Sequence, residues 1–467
     1  MARGGFKLEV WFVMQGCLKR LTLVVLASVA LMLGGAQVSA ESLTDAMVSA
    51  YGNNPTLKAE RARQRGTDEE VPQALSGWRP TINSEGSIDH TWSDTTTTNT
   101  QERTSKSVSI ALTQPIFRGF KTINGTKAAE ANVDAGRQGL LAVEQDILFR
   151  AIQAYMNVIR DRQIVGLRQK NVSVLQQQLG AADERFKVGE ITRTDVAQSR
   201  ARLSEARSNV ASAKATLAAS VANYLNVVGH EPGKLKYPGL ARLPRSLQAA
   251  QAAASEINPN ILSAAYVEEA ARYQTEVLKG DLLPSVDLQA SAIFNDPSST
   301  GSGSSEAASI EGVLTIPLYE AGRVYSSVRQ AKQVASQRRL EVIQAGRSVR
   351  ESVSISWNNL ASAREIIRSA KEQVSAAELA LDGVRQEYLV GSRTTLDVLD
   401  AESDVFSARI ALVSAQRDQI VNAYQILGSI GRLTARDLSL PVEYYDADEN
   451  YLNVRGKWFG TGAETIE

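Results

Sequence analysis

Tyr388-Leu389-Val390-Gly391-Ser392-Arg393-Thr394-Thr395-Leu396-Asp397-Val398-Leu399-Asp400 separates two long helical runs that contain no proline. A related stretch lies 202 residues earlier, Phe186-Lys187-Val188-Gly189-Glu190-Ile191-Thr192-Arg193-Thr194-Asp195-Val196. In each, an aromatic residue and a Val lead into Gly189 or Gly391, the residue type that ends a helix in the left-handed conformation without a Cβ penalty. Thr or Ser and then Asp supply N-cap chemistry for the following helix. Asp195 and Asp397 are therefore expected as caps whatever else they do. The rest of the chain reads as two copies of what these turns join.

The match keeps register over very different segments. Pro115 and Pro317, Tyr155 and Trp357, Gly189 and Gly391, Asp195 and Asp397, Leu225 and Leu427, and Gly229 and Gly431 are all 202 residues apart. Chance similarity does not hold a constant offset, so the chain is internally duplicated. Its repeats are expected at 41–230 and 245–433, joined by the Pro/Gly-rich linker 231–244. A tail at 434–467 has no counterpart.

Composition limits the function. The 467 residues carry 51 basic and 51 acidic side chains, so no global field points to nucleic acid or an anionic surface. Lys19-Arg20, the apolar run Leu21 to Leu33 and Val38-Ser39-Ala40 form a secretory signal over 1–40, with Met1 or Met14 as the start. The one cysteine, Cys17, leaves with it, which removes disulfide and thiol chemistry from the mature chain. Beyond Ala40 no stretch approaches about 18 apolar residues. An exported chain of this kind crosses a membrane only as strands.

Strands are visible in each repeat. Around 81–93, Ile82, Gly86, Ile88, His90 and Trp92 alternate with Thr81, Asn83, Glu85, Ser87 and Asp89; a second strand is expected at 106–117, with a polar loop at 95–104 between them. The other repeat gives strands at 285–295 and 308–319 around a Ser/Gly-rich loop at 296–306. From Pro115 to Pro232 there is no proline, and Ala151, Val158, Val165, Val172, Leu179 and Phe186 recur at intervals of seven, which is coiled-coil material. A helix from about Lys121 to Lys187 would be about 100 Å long. Before the first strand, a helix over about 56–75 is expected, kinked at Pro72.

The expected fold is thus a mixed α/β membrane protein, with long antiparallel coiled-coil helices and four transmembrane strands per chain. Four strands cannot close a barrel, and open edges in lipid leave backbone groups unpaired, so copies must pool them. Two copies give about eight strands with a filled interior, whereas three give a twelve-stranded barrel with a lumen. The charged helices must lie in water, in the periplasm of a two-membrane bacterium, with the Gly189 and Gly391 turns at the inner tip.

The duplication, the strand ends Gln114-Pro115-Ile116-Phe117 and Ile316-Pro317-Leu318-Tyr319, and the stretch 388–400 resemble the TolC family of outer-membrane efflux proteins over about 41–433. The resemblance implies a homotrimer in outer-membrane lipid. It also implies an exit duct of a tripartite efflux pump or type I secretion system, opened from the periplasm by an adaptor (membrane fusion) protein and an inner-membrane RND or ABC transporter. Asp397 and Asp400 match the carboxylates that ring the periplasmic entrance. Tyr388 and Arg393 match residues that hold it closed through Asp195 and Thr194. Arg193 departs from the family, which more usually has an apolar residue there.

The competing reading is a soluble periplasmic coiled-coil adaptor or scaffold, which leaves the amphipathic strands without a purpose. His90 and His230 are far apart in the repeat, and no phosphate loop, G-x-S-x-G or H-E-x-x-H occurs. No enzyme activity, cofactor, metal site or nucleic-acid partner is expected.

Overall fold

The computed structural model describes residues 40–95, 98–297 and 303–463. The expected signal segment, apart from Ala40, and the centre of the 296–306 tract lie outside them. The first repeat contains α1 (Leu43–Asn53), α2 (Pro55–Asp68), α3 (Glu70–Leu75), β1 (Thr81–Thr95), β2 (Thr98–Arg118), α4 (Lys121–Lys187) and α5 (Arg193–Val228). The second contains α6 (Leu247–Ile257), α7 (Pro259–Lys279), β3 (Ser285–Pro297), β4 (Ser305–Thr315), α8 (Arg323–Leu389) and α9 (Thr395–Ile430). A last helix, α10 (Ala447–Arg455), lies in the tail.

Both long helices have 67 residues and both return helices have 36. The elements after the hairpins keep the offset of 202, as in Lys121 and Arg323 or Arg193 and Thr395. Those before the hairpins are 204 apart, as in Leu43 and Leu247 or Pro55 and Pro259. The repeats therefore differ in length only within their hairpins, the part freest to vary. Asn54 and Asn258 show the shared construction: each caps the helix that begins at its Pro and donates from Nδ2 to the end of its return helix, at Val227 O (3.0 Å) and Ser429 O (2.8 Å).

The four strands form one antiparallel sheet in the order β1-β2-β3-β4. Ile82 faces Leu112, Gly86 faces Val108, Ile110 faces Ala292 and Ala290 faces Ile310, which gathers the apolar side chains on one face. Ser87 and Ser107 meet at 2.8 Å on the other face, and Ser291 and Ser309 at 3.0 Å. Two boundaries differ from expectation. The tract 95–104, expected as a loop, mostly continues the ladder, with Trp92 opposite Glu102 and Thr95 opposite Thr98. The apolar period that marks a half-buried strand is missing from this tract, while its Thr-rich composition still favours strand. Strand β4 ends at Thr315, opposite Ser285, rather than at 319, because β3 begins there after Pro284, which has no N–H to donate.

The helix expected over 56–75 is broken at Glu69 into α2 and α3, and Pro72 sits in the first turn of α3, where its missing N–H costs nothing. The main core wraps the midpoint of α4. Ile147, Leu148, Ala151, Ile152, Tyr155 and Val158 pack against α1, against Tyr224 and Val228 of α5, and against Leu433 and Leu440 beyond α9. The single Tyr155 O–H is shared between the carbonyls of Glu41 (2.8 Å) and Lys236 (2.6 Å), fastening the linker and the start of the expected mature chain to this belt. A smaller counterpart joins Ala250 and Ala254 to Val353, Leu360 and Ile426.

Where β2 turns into α4, Gly119 has φ 60°, and a Cβ there would lie 2.3 Å from Gly280 O. Gly189 at the tip has φ 82° with nothing within 4 Å. Gly189→Ala is expected to cost about 1–2 kcal/mol, the conformational penalty alone. Gly119→Ala adds a backbone clash, so its helical melting transition, followed by circular dichroism, should fall markedly further.

Candidate functional site at the helical tip

Helices α4 and α8 end in the same way. Gly189 N donates to Phe186 O (3.0 Å) and Glu190 N to Arg185 O (3.0 Å); Gly391 N donates to Tyr388 O (3.1 Å) and Ser392 N to Glu387 O (2.9 Å). These bonds satisfy the last carbonyls and reverse the chain. Each return helix then opens with a capping box, Thr192 with Asp195 and Thr394 with Asp397. Asp397 Oδ2 accepts from Thr394 N (2.8 Å) and Thr394 Oγ1 (2.7 Å), and these bonds hold its carboxyl below the usual aspartate range. A lowered folded-state pKa means that the cap is in place above the normal titration near 3.8 and is lost only as pH falls through the depressed value. Asp397 is ionised at neutral pH.

The two turns meet within one chain. Arg185, at the end of α4, lies over the Tyr388 ring with 4.7 Å to the centroid, and Tyr388 Oη is 3.3 Å from Thr395 Oγ1. Arg202 of α5 donates to Asp400 Oδ1 at 2.7 Å. Glu402, only 1% exposed, accepts from Gln178 of α4 (3.0 Å) and Arg385 of α8 (2.9 Å), while its Oε2 has no hydrogen-bond partner among the described residues. Arg393 pairs with Glu387 in its own turn at 2.7 Å. Within the chain, then, Asp195 serves Thr192, Thr194 is exposed, and Tyr388 and Arg393 bond to Thr395 and Glu387 rather than to Asp195 or Thr194.

Sequence reasoning missed Gln178, Arg202, Arg385 and Glu402. Only Glu402 left a signal. Thr395, Val398, Leu399, Val405 and Phe406 are the buried positions of the first turns of α9, and Glu402 occupies that apolar phase. An acid there is costly unless paired. Among the described residues no cluster of His, Cys, Asp and Glu is arranged to hold a metal ion, and no helix is long and apolar enough to cross a membrane.

An amphipathic four-stranded sheet above a duplicated set of helices about 100 Å long defines a channel-forming protein of the bacterial outer membrane. The family model for outer membrane efflux proteins matches residues 46–230 and 250–432, and the chain belongs to that family. It is 41% identical to the outer membrane efflux protein BepC of Brucella suis over 450 residues, covering 96% of this chain and 98% of BepC. It is 29% identical to the outer membrane protein TolC of Escherichia coli over 425 residues, covering 85% and 84%. Its fold matches the CmeC outer membrane channel of Campylobacter jejuni with a TM-score of 0.75, at 15% identity and 89% coverage of both chains. The protein is an outer-membrane exit duct of the efflux class, with its helical body in the periplasm.

Glu402 ties both hairpins together. In Arg385→Ala the carboxylate keeps Gln178 alone, a loss of about 1–3 kcal/mol for a buried charged acceptor. Amide exchange across 385–402 should quicken by about tenfold or more, since about 1.4 kcal/mol is a factor of ten. Glu402→Gln, which removes the charge along with the need for Arg385, should change it much less.

Proposed function

We propose that three copies pool their sheets into a twelve-stranded barrel and that the helical tips close its periplasmic end. The observation that carries this reading is the sheet itself: β1 and β4 each have one unpaired edge, and the apolar face is bare, with Ile310 78% exposed. Such edges persist in hydrocarbon only when another chain pairs them. The exposed Leu340, Ile343, Ile355, Ile366 and Leu379 along α8 offer further surface for a neighbour to cover.

At the tip, Asp397 and Asp400 from each copy would ring the entrance and focus a negative potential in a narrow opening. Arg393 is held in its own chain by an exposed pair with Glu387 that solvent screens, so it can turn to Thr194 and Asp195 of a neighbour at little cost. Tyr388 would hold the inner hairpin in place beneath Arg185. Opening would uncoil the inner helices after these contacts break, driven by a periplasmic adaptor and an RND or ABC transporter in the inner membrane. The duct itself is passive and carries out no chemical step.

In planar bilayers, Asp397→Ala with Asp400→Ala should weaken divalent-cation block and cation preference by an order of magnitude or more; unchanged selectivity would reject the ring. Replacing Arg393 and Tyr388, by Ser and Phe, should raise single-channel conductance several-fold. A conductance equal to that of the parent would put the latch elsewhere.

A further inference from the structure

The tail has no counterpart in the first repeat, yet it is pinned along its length. After the central belt, α10 runs along α2 and α4. Asp448 pairs with Arg137 at 2.6 Å, Asn450 Nδ2 donates to the buried Asp68 at 2.7 Å, and Arg455 pairs with Glu130 at 2.9 Å. The Tyr451 ring lies beneath Arg137 and Arg455. These contacts move from Arg137 to Glu130, toward the start of α4 and hence toward the sheet. Beyond α10, Arg79 Nη1 donates to Lys457 O at 2.8 Å, and its guanidinium stands 4.8 Å from the centre of the Trp458 ring. Arg79 lies two residues before β1 begins.

This position has a definite depth. Lipid-facing Ile82 and Trp92 bracket the apolar band of β1, a span of about 33 Å along the strand at about 3.3 Å per residue. Tilted by about 40°, it covers about 25 Å, the height of a barrel's apolar band. Arg79 is three residues below Ile82, about 7 Å lower along the membrane normal. The polar layer on each side of the hydrocarbon core is about 5–7 Å thick. Trp458 therefore sits at headgroup level, on the periplasmic side.

Its chemistry suits that level. Trp458 is 57% and Phe459 87% exposed, although both end a segment that is otherwise fastened down. Two cations, Arg79 and Lys457, flank them, and Trp78, Leu282 and Leu283 are exposed at the same end of the sheet. Amphipathic rings with adjacent positive charge partition to the membrane–water interface. In the trimeric duct proposed above, on which this inference rests, the tail takes the outer side of the helices. Glu130, Arg137 and Glu144 are spaced by seven on α4, and Glu144 accepts from Ala435 N (2.7 Å) in the central belt. A belt of linker and tail on the inner side would fill the duct.

We propose that Trp458 and Phe459, with Arg79 and Lys457, form an anchor that inserts into the periplasmic leaflet of the outer membrane and binds anionic glycerophospholipid. Through α10 this anchor links the bilayer to the central belt and sets the height of the helical body against the membrane.

The test uses the full mature chain, whose expected signal carries the one native cysteine, Cys17. Phe459→Cys, Leu452→Cys on α10 and Ile310→Cys on the lipid face each receive an environment-sensitive fluorophore and are reconstituted into phosphatidylethanolamine–phosphatidylglycerol vesicles. The probe at 310 verifies insertion. At 459, nitroxide placed near the headgroup should quench several-fold more than at 452, and aqueous iodide correspondingly less. Arg79→Ala, or vesicles without phosphatidylglycerol, should weaken this association by about fivefold per cation lost at an anionic surface. Iodide access at 459 equal to that at 452 overturns the proposal. Protection from both quenchers also overturns it, because protein rather than lipid would then cover the pair.

Discussion

Hydrocarbon offers no partner to a backbone N–H or carbonyl, and the rest of this molecule follows from that constraint. Four strands satisfy one another internally but leave two edges open, so a single chain is an incomplete wall. Alternation then decides what each face of the wall meets: Ile82, Ile110 and Ile310 face lipid, while Ser87, Ser107, Ser291 and Ser309 pair on the side that meets water. The helices carry too much charge to enter lipid and are free to extend about 100 Å into an aqueous compartment.

A wall continued by helices needs a reliable junction. At Gly119 the chain turns through a left-handed pair, Gly119 and Phe120, and passes so close to Gly280 that no side chain fits between them. The second junction has the same left-handed pair at Ala321 and Gly322, but in open space. Lys121, just beyond the first, pairs with Asp281 at 2.9 Å, tying the first long helix to the end of α7. The passage from β2 into α4 beside the start of β3 is thus set by backbone contact rather than by flexible side chains, and the tail reaches the same end of the sheet at Arg79.

Much of this was legible because duplication and periodicity are local or self-referring signals. The ends of α4, the capping boxes at Asp195 and Asp397 and the Gly turns are all written in short stretches. The upper part of the first hairpin was not, because the alternation that marks a strand disappears from its Thr-rich sequence. Nor were Arg202, Gln178 and Arg385, which meet their partners only after two hairpins pack side by side; the Arg202–Asp400 pair spans 198 residues. The path of the tail was hidden for a further reason. Without a second copy to compare, Asn450 and Arg455 look like ordinary polar positions, and only Asp68 and Glu130 give them meaning.

The tip also separates two carboxylates that the sequence presents as equals. Asp397 and Asp400 lie three apart at a helix start and share a face, yet their surroundings differ. Asp397 spends its hydrogen-bonding capacity on its own cap, which keeps it ionised and fixed at the helical tip. Asp400 is opposite Arg202, a cation from the other repeat, so its charge is partly balanced while the two hairpins stay together. Separating α5 from α9 would remove that cation from Asp400 while leaving Asp397 unchanged. The charge at the helical tip is therefore coupled to the packing of the hairpins: a movement that parts α5 from α9 also leaves Asp400 without the cation that their packing supplies.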